Sequence, residues 1–300
     1  MDRREKNEGH MLIKSIFLSL RPRQWIKNIA VFAGLIFSQN FFDVQKVWLV
    51  VMAAFIFCIA SSSIYLINDS LDAEQDKLHP HKKHRPIASG RLRVAAALSI
   101  AVVLLTFSAT AAFMLDTGFF FLLALYLIIE TLYSLYWKHI VIIDLFCIAA
   151  GFLLRVLAGA VVISVPISNW LFICTTFLSL FLALGKRRSE FVLLEGSARE
   201  HRQVLANYSL VFIDQLISIV TAATIFSYAL YTFSPETVAK FNTRNLEYTV
   251  IFVVYGIFRY LYLIYQKKMG GAPERLLFAD KPLLINLFLY FFTVMAVLYH

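Results

Sequence analysis

The sequence predicts an all-α, polytopic membrane protein built from nine transmembrane helices, and three observations predict it. Apolar segments of membrane-crossing length recur along the whole chain, in which 60% of residues are hydrophobic and 16% charged. Once those segments are drawn as spans, the basic residues sort onto one side. The acidic and basic clusters stand at span ends, where a charge costs less than in the bilayer. No soluble domain of 300 residues needs so much apolar surface.

Residues 1–27 are polar and basic, with no short apolar run and cleavage site, and read as a cytoplasmic, interfacial segment rather than a removable signal peptide. Arg21-Pro22-Arg23-Gln24-Trp25-Ile26-Lys27-Asn28 reads as an interfacial helix entering the first span. Trp25 suits the headgroup level and the cations suit anionic lipid. Lys27 and Asn28 then stand at the mouth of the bundle, within reach of a phosphate. The apolar segments follow at about 28–42, 47–67, 95–115, 117–136, 141–163, 168–184, 211–233, 248–265 and 282–299, giving one catalytic domain over 28–300.

Nine spans put the termini on opposite sides. The N-terminal side then receives the cations of residues 1–27, of 77–93, Lys138, those of 186–202 (Arg199 and Arg202 included) and those of 267–281 (Lys268 and Arg275 included). That is 23 of the 28 basic residues; Lys46, Lys240 and Arg244 lie opposite, and Arg155 and Arg259 fall within spans. This asymmetry places the N-terminus and the large basic loops in the cytoplasm. The net charge of +9 therefore marks cytoplasmic loops and not a nucleic-acid surface. Cys58, Cys147 and Cys174 lie inside apolar runs and read as small buried hydrophobes.

The second span ends in Asn68-Asp69-Ser70-Leu71-Asp72-Ala73-Glu74-Gln75-Asp76. If the helix continues, Asn68, Asp72 and Asp76 share one face. Clustered carboxylates with an amide oxygen suit Mg2+, which binds through one or two carboxylates plus substrate phosphates. The metal ligands expected are Asn68, Asp69, Asp72 and Asp76, against the alternative of a solvated acidic cap. The loop that follows contains Pro80 and Pro86 and carries Lys82, Arg85 and Arg91, suited to the remaining phosphate oxygens. Its His79, His81 and His84 are crowded by prolines and lysines and read as solvated, not as a zinc site.

A second polar motif, Gly185-Lys186-Arg187-Arg188-Ser189-Glu190, ends the sixth span, four spans on, which hints at an internal duplication. Ionisable groups within spans cost roughly 2.5–3.5 kcal/mol each on insertion scales. Asp144 and Arg155 are near three turns apart in the fifth span and share a face, with Lys138 and Tyr133 near its start. A structural Asp–Arg arrangement and a role in the site both fit them. Gly151, Ala158 and Gly159 favour close helix packing, and Glu130, Asp214 and Arg259 read as structural pairs.

These residues resemble the UbiA-type membrane prenyltransferase superfamily over nearly the whole chain. The strongest element is Asn68-Asp69-x-x-Asp72-x-x-x-Asp76, similar to that family's first aspartate-rich motif; Tyr133…Lys138…Asp144 looks like its fourth-to-fifth helix region. The resemblance implies nine helices around a central cavity, capped by cytoplasmic loops and open to lipid, with Mg2+ and a diphosphate at the first motif. Where prenyl-transferring members carry a second Asp-x-x-x-Asp, this chain has Lys186-Arg187-Arg188-Ser189-Glu190. With Arg21-Pro22-x-Gln24-Trp25-x-Lys27-Asn28, that departure looks like the decaprenyl-phosphate phosphoribosyltransferase subfamily. The resemblance then implies 5-phosphoribosyl 1-diphosphate (PRPP) as donor, a polyprenyl phosphate as acceptor and a product for lipid-linked arabinose synthesis. It also implies a bacterial plasma membrane. Asn68, Asp72 and Asp76 become the catalytic set, with Lys186 and Arg187 on a phosphate and Glu190 on a ribose hydroxyl or the metal. A prenyltransferase acting on an aromatic acceptor and a lipid transporter are the alternatives; a homo-oligomer is left open.

Overall fold

The computed structural model describes residues 3–78, 82–193, 208–267, 269, 276 and 278–299; His79, Pro80, His81, Arg199, Arg202, Lys268 and Arg275 lie outside them. All regular structure among the described residues is helical. Helix α1 (Arg3–Ser19) leads to a 3-10 helix (Pro22–Phe32), α2 (Ala33–Phe37), α3 (Val44–Leu71) and α4 (Ala73–Leu78). Then come α5 (Val94–Leu115), α6 (Thr117–Leu135), α7 (Ile143–Val161) and α8 (Asn169–Leu193). Helices α9 (Leu210–Phe233), α10 (Pro235–Phe241), α11 (Val250–Tyr265) and α12 (Lys281–Tyr299) complete the chain.

Local chemistry sets several boundaries. Asp43 Oδ1 accepts from the backbone N–H groups of Gln45 and Lys46 to start α3. Asp116 Oδ1 caps α6 through Phe119 N–H at 2.7 Å. Ser234 caps α10, whose first residue is Pro235, a position that has no helical N–H to lose.

Eight helices among the described residues, α3, α5 to α9, α11 and α12, are long and apolar enough to cross a membrane, so this is a multi-pass membrane protein. The expected count of nine spans is not confirmed among the described residues. The segment expected as the first span is the 3-10 helix followed by five residues of α2. Pro22 starts the 3-10 helix, after Arg21 in the left-handed region. This stretch runs antiparallel to α3: Arg21 meets Asp69, Trp25 Nε1 donates to Ser62 Oγ, and Asn28 Nδ2 donates to Cys58 Sγ. At its far end Gln39 Nε2 donates to Leu298 O, at the C-terminal end of α12. A 3-10 helix rises about 2.0 Å per residue against about 1.5 Å for an α-helix, so few residues cover a long path.

Helix α7 is the central post. Its Leu154 and Ala158 join a core with Val31, Leu35, Phe57, Phe119 and Tyr126, while its Leu145 and Ala149 join another with Phe181, Leu184, Ile213 and Ile257. Small residues let the 3-10 segment lie against it: a Cβ on Gly159 would stand 1.8 Å from Val31 O. On the outside, α5, α6, α9 and α12 expose Val102, Phe113, Phe121, Phe226 and Phe292, an apolar surface suited to lipid tails. Between the two cores runs a cavity of about 1590 Å³, lined from Asp72 and Asp76 at one end to Ser38 and Lys240 near the other.

Candidate active site

The acidic motif turns one helix end into a wall of the cavity. Helix α3 closes at Leu71, yet the i to i−4 pattern continues: Asp72 N–H donates to Asn68 O at 2.9 Å and Asp76 N–H to Asp72 O at 2.8 Å. Asn68, Asp72 and Asp76 therefore stack on one face and line the cavity, with Gln75 beside them. Asp69, one residue round the helix, does not line it. Expected among the metal ligands, it is instead buried and bound to Arg21 and to Arg85 Nη1, the latter at 2.9 Å.

Residues 82–93 fold back over this wall, with Pro86 and Ala88 buried and Ile87 and Leu92 sharing a core with Leu66 of α3 and Ala97 and Ala101 of α5. Arg85 Nη1 reaches Asp76 Oδ2 at 2.5 Å, and Lys82 Nζ stands 3.8 Å from Asp76 Oδ1. Both line the cavity. Arg91, expected to hold a phosphate, does not: it is exposed and donates to His84 O and Ser89 Oγ.

Opposite stand α6, the turn after it and α8. Lys138 Nζ donates to Asp72 Oδ1 at 2.8 Å, with Tyr133, Ser134 and His139 also on the cavity wall. The second motif divides three ways. Lys186 and Glu190 line the cavity. Arg188 turns away, donating to Asp214 Oδ1 and lying 3.8 Å over the Tyr265 ring. Arg187, at 1% exposure, is sealed beneath the wall. Its guanidinium donates to Asp144 Oδ2 and Glu190 Oε2, each at 2.6 Å, and to Tyr133 Oη at 3.2 Å.

Arg187 and Asp144, both expected as substrate contacts, are thus a buried strut holding Glu190 and Tyr133, and neither lines the cavity. The reason is geometric: at about 100° per residue, Lys186 and Glu190 share a face that Arg187 does not. Tyr208 Oη donates to Asp144 Oδ1 and accepts the Ile142 backbone N–H. Burial pushes the Tyr208 phenol well above its ordinary range, so it stays a neutral donor. Ile142 has φ +71°, a costly conformation for a β-branched residue, in the turn that carries Lys138.

Beneath the rim lies a second polar layer that sequence reasoning underrates. Arg155 does not pair with Asp144: it donates to Asn28 Oδ1 and Tyr126 Oη on neighbouring elements, at 2.7 and 2.9 Å, and to Gly151 O of its own helix at 2.7 Å. Asn28 is in the bundle interior and not at its mouth, while Lys27 lines the cavity. Glu130 faces the cavity and, among the described residues, forms no ion pair of the structural kind expected of it. The signal is present in the chain, since an ionisable residue within a span marks a site by default. Asp214 and Arg259 do pair structurally, with Arg188 and Asp280.

The donor set fits Mg2+. Two cavity-facing carboxylates and an amide offer hard oxygens, enough for a metal shared with a phosphate ligand. Among the described residues no group of three or more His, Cys, Asp or Glu forms a closed protein cage for a metal.

The model of the UbiA prenyltransferase family matches residues 28–281. A decaprenyl-phosphate phosphoribosyltransferase of Mycolicibacterium smegmatis is 32% identical over 96% of this chain and 93% of its own length. One from Corynebacterium glutamicum is 30% identical over 99% of this chain and 91% of its own. Among solved structures, a UbiA homolog from Archaeoglobus fulgidus bound to GPP and Mg2+ superposes with a TM-score of 0.71. It covers 95% of this chain and 100% of its own at 17% identity, a likeness of fold.

Proposed function

The chain belongs to the UbiA prenyltransferase family, a family of transferases, and we propose that it transfers 5-phosphoribose from PRPP to a polyprenyl phosphate. The observation that carries this is the wall facing the aspartates. At the rim it offers Lys138, with Lys186 a turn below, and one carboxylate, Glu190, which is held by Arg187; the wall's other carboxylate, Glu130, lies a turn deeper. Such a wall holds phosphate oxygens, not a second metal. The names of the relatives from M. smegmatis and C. glutamicum support the same reading.

Asn68, Asp72 and Asp76 would hold Mg2+, which when bound offsets the charge of the departing diphosphate. Arg85, Lys82 and Lys138, each now beside an aspartate, gain phosphate oxygens as partners. An oxygen of the lipid phosphate attacks the anomeric carbon, the carbon–diphosphate bond breaks, and diphosphate leaves with its electron pair. That carbon passes through oxocarbenium character, as in glycoside cleavage. No protein nucleophile is needed; positioning and fixed charge supply the acceleration. Lys27 and Lys186 stand where the 5-phosphate or the acceptor phosphate would lie, and the apolar stretch past Phe181, Leu182 and Ile257 suits a prenyl tail. The rim faces the cytoplasm on the basic-residue asymmetry, and the family resemblance implies a bacterial plasma membrane.

Purified protein in detergent with Mg2+ tests the proposal. Phosphoribosyl lipid from PRPP and polyprenyl phosphate is the expected product. Consumption of a prenyl diphosphate with an aromatic acceptor, and none of PRPP, overturns it in favour of prenyl transfer.

A further inference from the structure

The donor proposed above carries ring hydroxyls as well as phosphates, and the cavity offers a carboxylate beyond those of its rim. Glu130 lies three residues before Tyr133 on α6, so both face the cavity. The other walls repeat the arrangement. Tyr65 stands three residues before Asn68 on α3, and Lys186 four before Glu190 on α8, all lining the same space. At about 1.5 Å of rise per residue, this tier lies about 5 Å beneath the rim, one sugar ring deeper than the diphosphate site.

Glu130 is not there as a partner for Arg155. Arg155 directs its hydrogen bonds to Asn28, Gly151 and Tyr126. Among the described residues no hydrogen bond or ion pair reaches the Glu130 carboxylate. Its Oε1 stands over Gly151, 2.9 Å from where a Cβ would sit, so the glycine leaves room for it. Arg155, Lys27 and Lys186 are the cations acting on its charge; they offset part of the cost of burying an anion in a span and do not cap its oxygens. An ionised carboxylate accepts hydrogen bonds and donates none. The complementary ligand group is a hydroxyl.

We infer that Glu130 accepts hydrogen bonds from the ring hydroxyls of a glycosyl diphosphate donor and selects it over a prenyl diphosphate. A prenyl chain has no hydroxyl to offer and would leave that carboxylate desolvated and unpaired. The inference rests on the phosphoribosyl reading, and its test keeps the two apart.

Full-length protein in detergent, with Mg2+ and polyprenyl phosphate, is given PRPP or its 2-deoxy and 3-deoxy analogues, as wild type and as Glu130→Gln. The expected wild type prefers PRPP over at least one analogue by about tenfold or more in kcat/KM. Glu130→Gln should weaken PRPP by a similar factor and leave that analogue nearly unchanged, so that the preference collapses. An unchanged preference in Glu130→Gln overturns the inference while phosphoribosyl transfer stands. A wild type that consumes prenyl diphosphate and no PRPP overturns both. Should the amide substitution not fold, Glu130→Asp carries the test, since it keeps the charge and withdraws it by one methylene. Full wild-type preference in Glu130→Asp then overturns the inference.

Discussion

Lys138 Nζ lies 2.8 Å from Asp72 Oδ1 and joins residues 66 apart in sequence across the mouth of the cavity. Both side chains are partly open to that cavity, so the bond is a contact a ligand can exchange. Mg2+ on Asp72 and diphosphate on Lys138 would replace one short-range pair by two.

Asp72→Asn keeps the size of the side chain and removes its charge. Turnover of PRPP should fall by about 100-fold or more, the scale for losing one charge-stabilising group. The melting temperature in detergent should stay near that of the wild type, because Asp72 is at the helix end and partly exposed. Retained activity would sink the metal assignment.

Arg187 and Lys186 are adjacent, yet their replacement should read out in different assays. Arg187→Met leaves Asp144, at 0% exposure, without its main counter-charge and should destabilise the fold by about 3–5 kcal/mol. Combining it with Asp144→Leu should recover much of that loss, since an apolar pair can replace a buried ion pair. Lys186→Met should leave the melting temperature little changed and raise KM for PRPP. A normal melting temperature for Arg187→Met, with a raised KM, would make Arg187 a ligand contact and the strut assignment wrong.

The division of that motif shows what a sequence can and cannot convey. Asn68, Asp72 and Asp76 recur every four residues, so their shared face follows from the helical repeat alone. Lys186, Arg187 and Arg188 are consecutive, and which of them meets the cavity depends on how α8 is rotated against α7 and α9. Packing sets that rotation, and composition does not encode it. The first crossing segment fails differently. Hydropathy counts residues, whereas a 3-10 helix covers more length per residue, so 28–42 looks like a short α-helical span. Glu130 is visible in the sequence as an acid within an apolar run; that no hydrogen bond or ion pair reaches it among the described residues is tertiary information.

Asp280 gives a pH-dependent prediction away from the site. Arg259 donates to both of its oxygens, at 3.1 and 2.8 Å, and these bonds hold the carboxyl below the usual carboxylate range. A depressed folded pKa means stability that is present above the unfolded value, about 3.9. It is lost as pH falls through the lower folded pKa. Asp280→Asn should therefore melt below the wild type at neutral pH, and the gap should narrow as pH drops below about 4. A gap independent of pH would assign the effect to the Leu283 N–H that Asp280 also accepts, and not to the ion pair.

Gly159 tests the packing of the 3-10 segment against α7. An added Cβ would stand 1.8 Å from Val31 O and 2.7 Å from Val31 C, both backbone atoms that no rotamer change can move. Gly159→Ala must push the segment off the central helix, and with it the Asn28 bond to Arg155 that fixes the second tier. The expected loss is about 3 kcal/mol or more, at the upper end for overpacking. Gly185→Ala is the matched comparison: its Cβ would meet Ile264 Cδ1 at 2.8 Å and Tyr260 Cε1 at 2.9 Å, the outer parts of side chains that can shift. Thermal melting of the two in the same detergent should place Gly159→Ala well below Gly185→Ala. Equal melting temperatures would mean that the 3-10 segment is free to move relative to α7, and that the second tier is not held by this contact.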